Sequence, residues 1–310
     1  MAINLTAERD LLWPGLIEVE GEYNAIMDES LSLFDKRKAT LAVERSVTVA
    51  MLPLPYLKGE GAATQFDNLA GQRFIYNMEP FEVSSGFAVT KRAILNNQYK
   101  SDFKLQSLNM KEVFLQFKQI QATNIFNNSG TVMTNLGGDG VALLSTAHPY
   151  DGGTWANRFT TDLDLNEASL LQALLNMRLN FVDERGIRIN AMGEELVLPI
   201  QLGPVGERLM HAEGRPGTFS NDPNLFRGGN GGGNGSYGLK KGMCVLPFLT
   251  SNYSWWVKSN IPGLIHLEHQ PFETSMWCDD VTDNLLVKGY EYYGFFYHNP
   301  RCVYGSLPTS

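Results

Sequence analysis

The sequence predicts an α+β fold, and three observations predict it. Two stretches, near 107–127 and 167–185, carry apolar residues at helical spacing. From Met243 onward the chain is instead rich in aromatic and β-branched residues, which suit a pleated, half-buried surface. Its 30 glycines and 11% aromatic residues add the turns that such strands need. Helical and strand-prone segments occupy separate blocks, which is the order of an α+β chain. The length of 310 residues favours two domains.

The first 50 residues hold a candidate amphipathic helix, with Leu16, Val19, Tyr23, Ile26 and Met27 at helical spacing and Gly21 inside it. Phe34, the basic run Lys36-Arg37-Lys38 and a β-prone run from Val43 to Met51 follow. Pro53, Pro55, Gly59, Gly61 and Gly71 then mark turns and edge strands around the β-prone Arg73-Phe74-Ile75-Tyr76. This stretch has too few apolar residues for a core of its own. It reads as a two-stranded excursion, and an isolated hairpin is marginally stable in water, so it needs a neighbour to lie on.

Residues 87–100 read as a short helix capped by Thr90. A longer helix follows, with Met110, Val113, Phe114, Phe117, Ile120 and Ile125 on its stripe and Lys111, Lys118 and Gln121 off it. Gly137-Gly138-Asp139-Gly140 is a turn. The next helix has Asn166 as its N-cap, Gly186 as its stop, and Leu170, Leu174, Met177 and Phe181 as its buried stripe. Leu196-Val197-Leu198 reads as a buried strand, and Pro204 opens a short helix. Residues 213–242 are loop-like, with a glycine-rich tract from Gly228 to Gly235. The most convincing strand is the last, 284–297.

Composition narrows the function. With 43% hydrophobic and 19% charged residues the chain is globular, and no apolar run approaches the length of a membrane span. The first ten residues lack the basic-then-apolar pattern of a secretory signal. The net charge of −8 and the shortness of the basic run 36–38 argue against a protein that grips phosphate backbones. Cys244, Cys278 and Cys302 are too widely spaced for a metal or redox motif and read as free thiols.

Four constellations invite a chemical reading. Ser145-Thr146-Ala147-His148 suggests a soluble hydrolase, but adjacency does not build a triad and no nucleophile elbow surrounds Ser145. His266-Leu267-Glu268-His269 suggests a metal pair, but on a strand His266 and His269 face opposite sides. Gly238-Leu239-Lys240-Lys241-Gly242 lacks the Gly-Lys-Ser/Thr of a phosphate loop. Asp279, Asp280 and Asp283 lack cation-loop spacing. No catalytic residue, metal ligand or cofactor is therefore assigned, and the chain is expected not to be an enzyme.

The central third supplies a more specific signal. Ile125-Phe126-Asn127-Asn128 ends the long helix, and Asp139-Gly140-Val141-Ala142-Leu143-Leu144-Ser145-Thr146-Ala147-His148-Pro149 follows. Trp155-Ala156-Asn157, the helix from Ala168 to Leu174, Asp183-Glu184-Arg185-Gly186 and Glu195-Leu196-Val197-Leu198-Pro199 come next, then Arg215-Pro216-Gly217-Thr218 and Asn221-Asp222-Pro223-Asn224. Over roughly residues 100–230 this series resembles the major capsid protein of tailed bacteriophages, especially the Mu-like major head subunit.

The resemblance implies the Hong Kong 97 type capsid fold. It places an N-terminal arm at 1–50 and an extended β-hairpin loop at 51–84. A peripheral domain at 85–190 would contain a spine helix at 107–128. A mainly axial domain would span 191–280, and a return strand 281–310. The chain would self-assemble into hexamers and pentamers of an icosahedral head enclosing double-stranded DNA, made in the host bacterial cytoplasm and ending in the virion. Its partners would be copies of itself, a separate scaffold, a portal and decoration proteins, with no membrane and no sequence-specific DNA binding. Expected contacts between subunits are Tyr56, Leu57, Lys58, Phe74 and Tyr76 of the loop, and Leu16, Val19 and Tyr23 of the arm. Lys58 has no identifiable cross-linking partner, so no covalent bond is assigned. An encapsulin-like bacterial compartment is the alternative with the same fold.

Overall fold

The computed structural model describes residues 13, 15–23, 29–64, 66, 72–95, 99–212, 214, 224, 226 and 238–309. Ile26, Met27, the glycine-rich tract and the motifs at 215–218 and 221–223 lie outside the described residues.

Two four-stranded sheets organise the chain. The first has the order β1 (Asp35–Lys38), β10 (Leu264–Cys278), β11 (Leu285–Tyr297), β4 (Phe81–Val89). The second has the order β12 (Val303–Ser306), β9 (Trp255–Ser259), β7 (Gly193–Pro199), β8 (Gly242–Leu246). β1–β10 and β7–β8 are parallel, and the other pairs in these sheets are antiparallel. Two hairpins stand apart: β2 (Glu44–Val49) with β3 (Gln72–Met78), and β5 (His148–Tyr150) with β6 (Gly153–Trp155). The helices are α1 (15–23), α2 (Glu29–Ser32), α3 (Lys91–Leu95), α4 (Tyr99–Asn127), α5 (Glu167–Asn180) and α6 (Gly203–His211).

α4 is the expected long helix, begun eight residues earlier than expected. Its 29 residues span about 43 Å. Met110, Phe114, Ala122, Ile125 and Phe126 bury on the first sheet and its surroundings. Val113 and Phe117, expected on the buried stripe, are exposed, and Lys118, expected off it, is buried. The true stripe steps by four from Phe114 through Lys118 to Ala122. Gly289 lets β11 approach this helix, because a Cβ there would lie 2.8 Å from Phe272 and 3.1 Å from Phe114.

α5 has the expected N-cap. Asn166 Oδ1 accepts from Ser169 N at 2.9 Å, and Ser169 Oγ accepts from Asn166 N at 2.9 Å. The helix stops at Asn180 and not near Gly186. Phe181 leaves the helical path to enter the core, and Gly186, at φ +81°, serves the turn beyond it. The expected stripe is buried against Leu196, Leu198, Trp255 and Tyr304 of the second sheet. β7 and the Pro204 helix (α6) also form as expected.

Residues 87–89 are strand, not helix: Phe87, Ala88 and Val89 pair with Val287, Leu286 and Leu285. Local helical spacing lost to an available sheet edge. Thr90 still caps, accepting from Ala93 N at 3.3 Å, but the helix it starts is α3. The excursion is bounded at 44 and 78, since 81–84 already belong to the first sheet. The expected divisions at 190 and 280 also fall differently. α5 packs on the second sheet, β10 is in the first, and the chain returns through β11 to the first sheet before β12 rejoins the second.

The described part of the N-terminal segment is folded onto its own chain. β1 joins the first sheet, and α1 buries Leu16, Val19 and Tyr23. Glu20 Oε2 accepts from Thr274 N and Oγ1, both at 3.0 Å. Tyr23 Oη donates to Glu291 Oε2 at 3.0 Å, while Lys118 pairs with Glu291 Oε1. The Lys118 ammonium lies 5.1 Å from the Tyr23 ring centroid and 4.8 Å from that of Tyr293. Burial pushes the Glu291 carboxyl above its ordinary value, against the pull of Lys118 and Tyr23. Alternation along β11 shows why this carboxylate is internal: Leu285, Val287, Glu291, Tyr293, Phe295 and Tyr297 share the inward phase.

Glu291→Ala should strand the Lys118 charge among aromatic rings and cost about 3–5 kcal/mol in urea denaturation. Lys111→Ala, which breaks the 2.6 Å pair with the half-exposed Glu22, should cost about 0–1 kcal/mol.

Candidate assembly elements and the polar network at their root

The β2–β3 hairpin carries the longest uncovered apolar segment. Its strands pair from Glu44↔Met78 to Val49↔Gln72, with an irregularity after Val47. Between them the chain runs without regular secondary structure through Met51-Leu52-Pro53-Leu54-Pro55-Tyr56-Leu57. The prolines cannot donate to a ladder, so this path does not continue β2 as a regular strand. Leu54 is 74% exposed, Phe66 93%, and Leu52 and Leu57 are exposed as well. Leu52, Leu54, Tyr56, Lys58, Thr64 and Phe66 border an open hollow of ≈ 830 Å³. Tyr56 Oη donates to Ala63 O at 2.9 Å and closes the tip on itself.

The eight residues expected at subunit contacts divide accordingly. Tyr56, Leu57 and Lys58 lie exposed at the tip. Phe74 is partly buried against the core. Tyr76, Leu16, Val19 and Tyr23 are buried within their own chain. Their apolar groups find partners close by: Tyr76 packs edge-on against Tyr297, and Tyr23 lies 4.6 Å from Phe272.

Below the hairpin, motifs far apart in sequence converge. Gly138 N donates to Ile75 O at 2.9 Å and Asn77 N to Leu136 O at 2.7 Å, tying β3 to the 136–140 turn. Gly138, at φ +82°, is held so close to the Tyr76 ring that a Cβ would clash. The next residue, Asp139, holds His148 Nδ1 at 2.6 Å. His148 stacks on Trp155 at 4.5 Å, and the Arg301 guanidinium lies over the same indole at 4.7 Å. Arg301 donates to Glu184 Oε1 at 2.9 Å and Val182 O at 2.6 Å. Glu184 and Asp183 face the hairpin again: Glu184 Oε2 lies 3.5 Å from Arg73 Nε, and Asp183 Oδ2 accepts from Met51 N at 2.6 Å.

Asn157 braces this network. Its Nδ2 donates to Leu143 O, Pro300 O and Val303 O, which fixes its Oδ1 toward Ser145 N and His148 Nε2. The hydrolase reading fails on this geometry. Both imidazole nitrogens face Asp139 and Asn157, and Ser145 Oγ accepts from Ala147 N at 3.1 Å in a local turn.

The other constellations are structural. His266 is buried and stacked on Phe295 at 4.7 Å, whereas His269 lies beside Tyr292. Burial, helped by the Lys118 and Lys36 charges, pushes the His266 ring down to about 3. Asp279 orders its own turn by accepting from Thr282 Oγ1 and Val281 N, and Asp283 pairs with Lys91. Among the described residues no cluster of three or more potential metal ligands occurs, and no helix is long and apolar enough to cross a membrane. Cys244 and Cys302 are buried, and burial holds the Cys302 thiol up at about 12.

Sequence reasoning missed Arg301, Arg73 and the Lys118–Glu291 pair. The inward phase of Glu291 along β11 was a usable signal. Nothing local marks Arg301 as a buried cation, because its partners are more than 100 residues away.

His148→Ala should leave Asp139 without its partner and open a gap against Trp155, lowering stability by about 3–5 kcal/mol in chemical denaturation. His266 stays neutral in the folded chain but protonates near pH 6.5 when unfolded, so its contribution is present above that pH and is lost as pH falls toward 3. Its Nε2 has no hydrogen-bond partner. His266→Phe should therefore retain stability at pH 7 and, at pH 4, exceed wild type by on the order of 3 kcal/mol in urea titrations at both pH values.

No family model matches the sequence, and no curated protein does. Solved structures match in fold. The virus-like particle from Pyrococcus furiosus aligns with a TM-score of 0.55 and 10% identity over 95% of this chain and 98% of that one. The procapsid of bacteriophage JBD30 aligns with a TM-score of 0.54 and 11% identity over 99% of this chain and 76% of that one. The Mycobacterium phage Patience structure gives 0.53 and 11% over 99% and 89%. Over nearly its whole length, this chain thus has the phage capsid protein fold.

Proposed function

We propose that the chain is a major capsid protein, a structural and non-enzymatic subunit whose copies build the icosahedral head of a tailed phage. The reading rests on the fold likeness over nearly the whole chain, joined to one observation: the hairpin tip holds Leu52, Leu54, Leu57 and Phe66 in water. Burying a leucine or phenylalanine is worth about 1.5–3 kcal/mol. Val113 and Phe117 add uncovered apolar surface on α4. A shell gives such groups a partner in every subunit.

In the Hong Kong 97 type assignment, the extended loop is the 44–78 hairpin. The peripheral domain is the first sheet with α4, and the axial domain is the second sheet with α5 and α6. Hexamers and pentamers would enclose double-stranded DNA, and a net charge of −8 suits a wall that does not trap it. Scaffold, portal and decoration proteins would be its partners, and the virion its location. The compartment alternative is less favoured, since the matched structures include the JBD30 procapsid and a GTA particle capsid.

Purified protein, alone and with the phage scaffold, should form closed shells in negative-stain micrographs. Small soluble monomers under both conditions would overturn the proposal. Replacing Leu52, Leu54 and Leu57 together by serine should leave the melting temperature of the free subunit within about 2 °C of wild type, because exposed substitutions change stability little, yet abolish shells.

A further inference from the structure

One turn ties the hairpin to the body at both of its strands. Asp183 Oδ2 accepts from Met51 N at 2.6 Å, just past β2, and Glu184 Oε2 faces Arg73 Nε at 3.5 Å, near the start of β3. The turn itself is rigidly held. Gly186 N donates to Asp183 O at 2.9 Å, Asp151 N donates to Glu184 O at 2.8 Å, and Arg301 grips Glu184 Oε1 and Val182 O. Beyond Met51 the leucines of the tip are in water, so this turn and the 136–138 turn that holds Ile75 and Asn77 of β3 are two places where the hairpin takes its bearing from the body.

The two ties are unequal. Met51–Asp183 is a charge-assisted hydrogen bond of good length. Arg73–Glu184 is an ion pair too long to be a hydrogen bond, and the buried Glu184 Oε2 has no donor. A buried carboxylate oxygen without a donor is unfavourable, and Arg73, about a third exposed, has room to move. An inward shift of β3 by about 0.6 Å would bring its guanidinium into bonding range. Such a contact would not compete with Arg301, which holds the other oxygen.

We infer that Asp183 and Glu184 form a catch at the hairpin root, closed on β2 and half-open on β3 in the free subunit, that sets the hairpin's angle and closes when the tip seats on a neighbouring copy. The closing step rests on the shell reading; the catch itself does not.

Hydrogen exchange on free subunits and on shells separates the two. In the free subunit, Asp183→Ala should speed exchange of the Met51 amide about tenfold. In wild-type shells, residues 72–75 should gain protection over the free subunit, and Arg73→Gln, which leaves the Arg301–Glu184 pair intact, should lose that gain and broaden the shell diameters. Unchanged Met51 exchange in a folded Asp183→Ala variant would overturn the catch. So would identical protection at 72–75 in wild-type and Arg73→Gln shells. Should Asp183→Ala fail to fold, the Arg73→Gln comparison decides. Should wild type form no shells, the shell reading falls, and Met51 exchange still tests the catch.

Discussion

The Arg301 guanidinium is buried where three distant parts of the chain must meet, and the attitude of the hairpin follows from that meeting. A buried cation is tolerated only when its donors are engaged and its charge is opposed. Arg301 meets this condition in part: Nε engages Val182 O, Nη1 engages Glu184, and the guanidinium lies over Trp155, while Nη2 has no hydrogen-bond partner among the described residues. Trp155 in turn stacks on His148, and His148 is held by Asp139, next to the glycines that grip β3. Each link is a short-range contact, yet the series runs from the start of the second sheet's edge strand to both strands of the hairpin. Removing the central cation would leave the buried Glu184 with only the longer Arg73 contact to oppose its charge.

A second buried cluster does the corresponding work for the N-terminal segment. Lys118, Glu291 and Tyr23 join α4, β11 and α1, and the surrounding rings of Phe114, Phe272 and Tyr293 exclude water. Such clusters are costly to bury and give specificity of placement more readily than stability. Here the placement is that of α1 against its own subunit. Leu16, Val19 and Tyr23 are thus covered within the chain, whereas the hairpin tip and Val113 and Phe117 of α4 are not.

Where local signals were strong, sequence and structure agree for identifiable reasons. Asn166 and Ser169 satisfy each other's backbone whatever the rest of the chain does, so the start of α5 was legible. The alternation of β11 and the apolar run of β7 reflect burial on one or both faces, and were legible too. The run 87–89 misled because Phe, Ala and Val suit either state, and only the free edge of β11 chose strand. Lys118 misled because a charge on a helix usually marks its wet face, and Glu291 lies 173 residues away. The converging motifs at 139–157 and 183–186 were legible as a series, but not as a place.

Legible from residue order alone were the α+β class, the capped helices, the last strand, and a proline-punctuated excursion with too little apolar content to sustain itself. These depend on local geometry, on periodicity and on the absence of a donor at proline, all of which are properties of neighbouring residues. Which strands share a sheet, the burial of Leu16, Val19, Tyr23 and Tyr76, and that of Arg301 and Lys118 emerge only once the chain is folded. Those outcomes are set by which distant carboxylates and sheet edges reach the same volume, and that depends on how the whole chain closes.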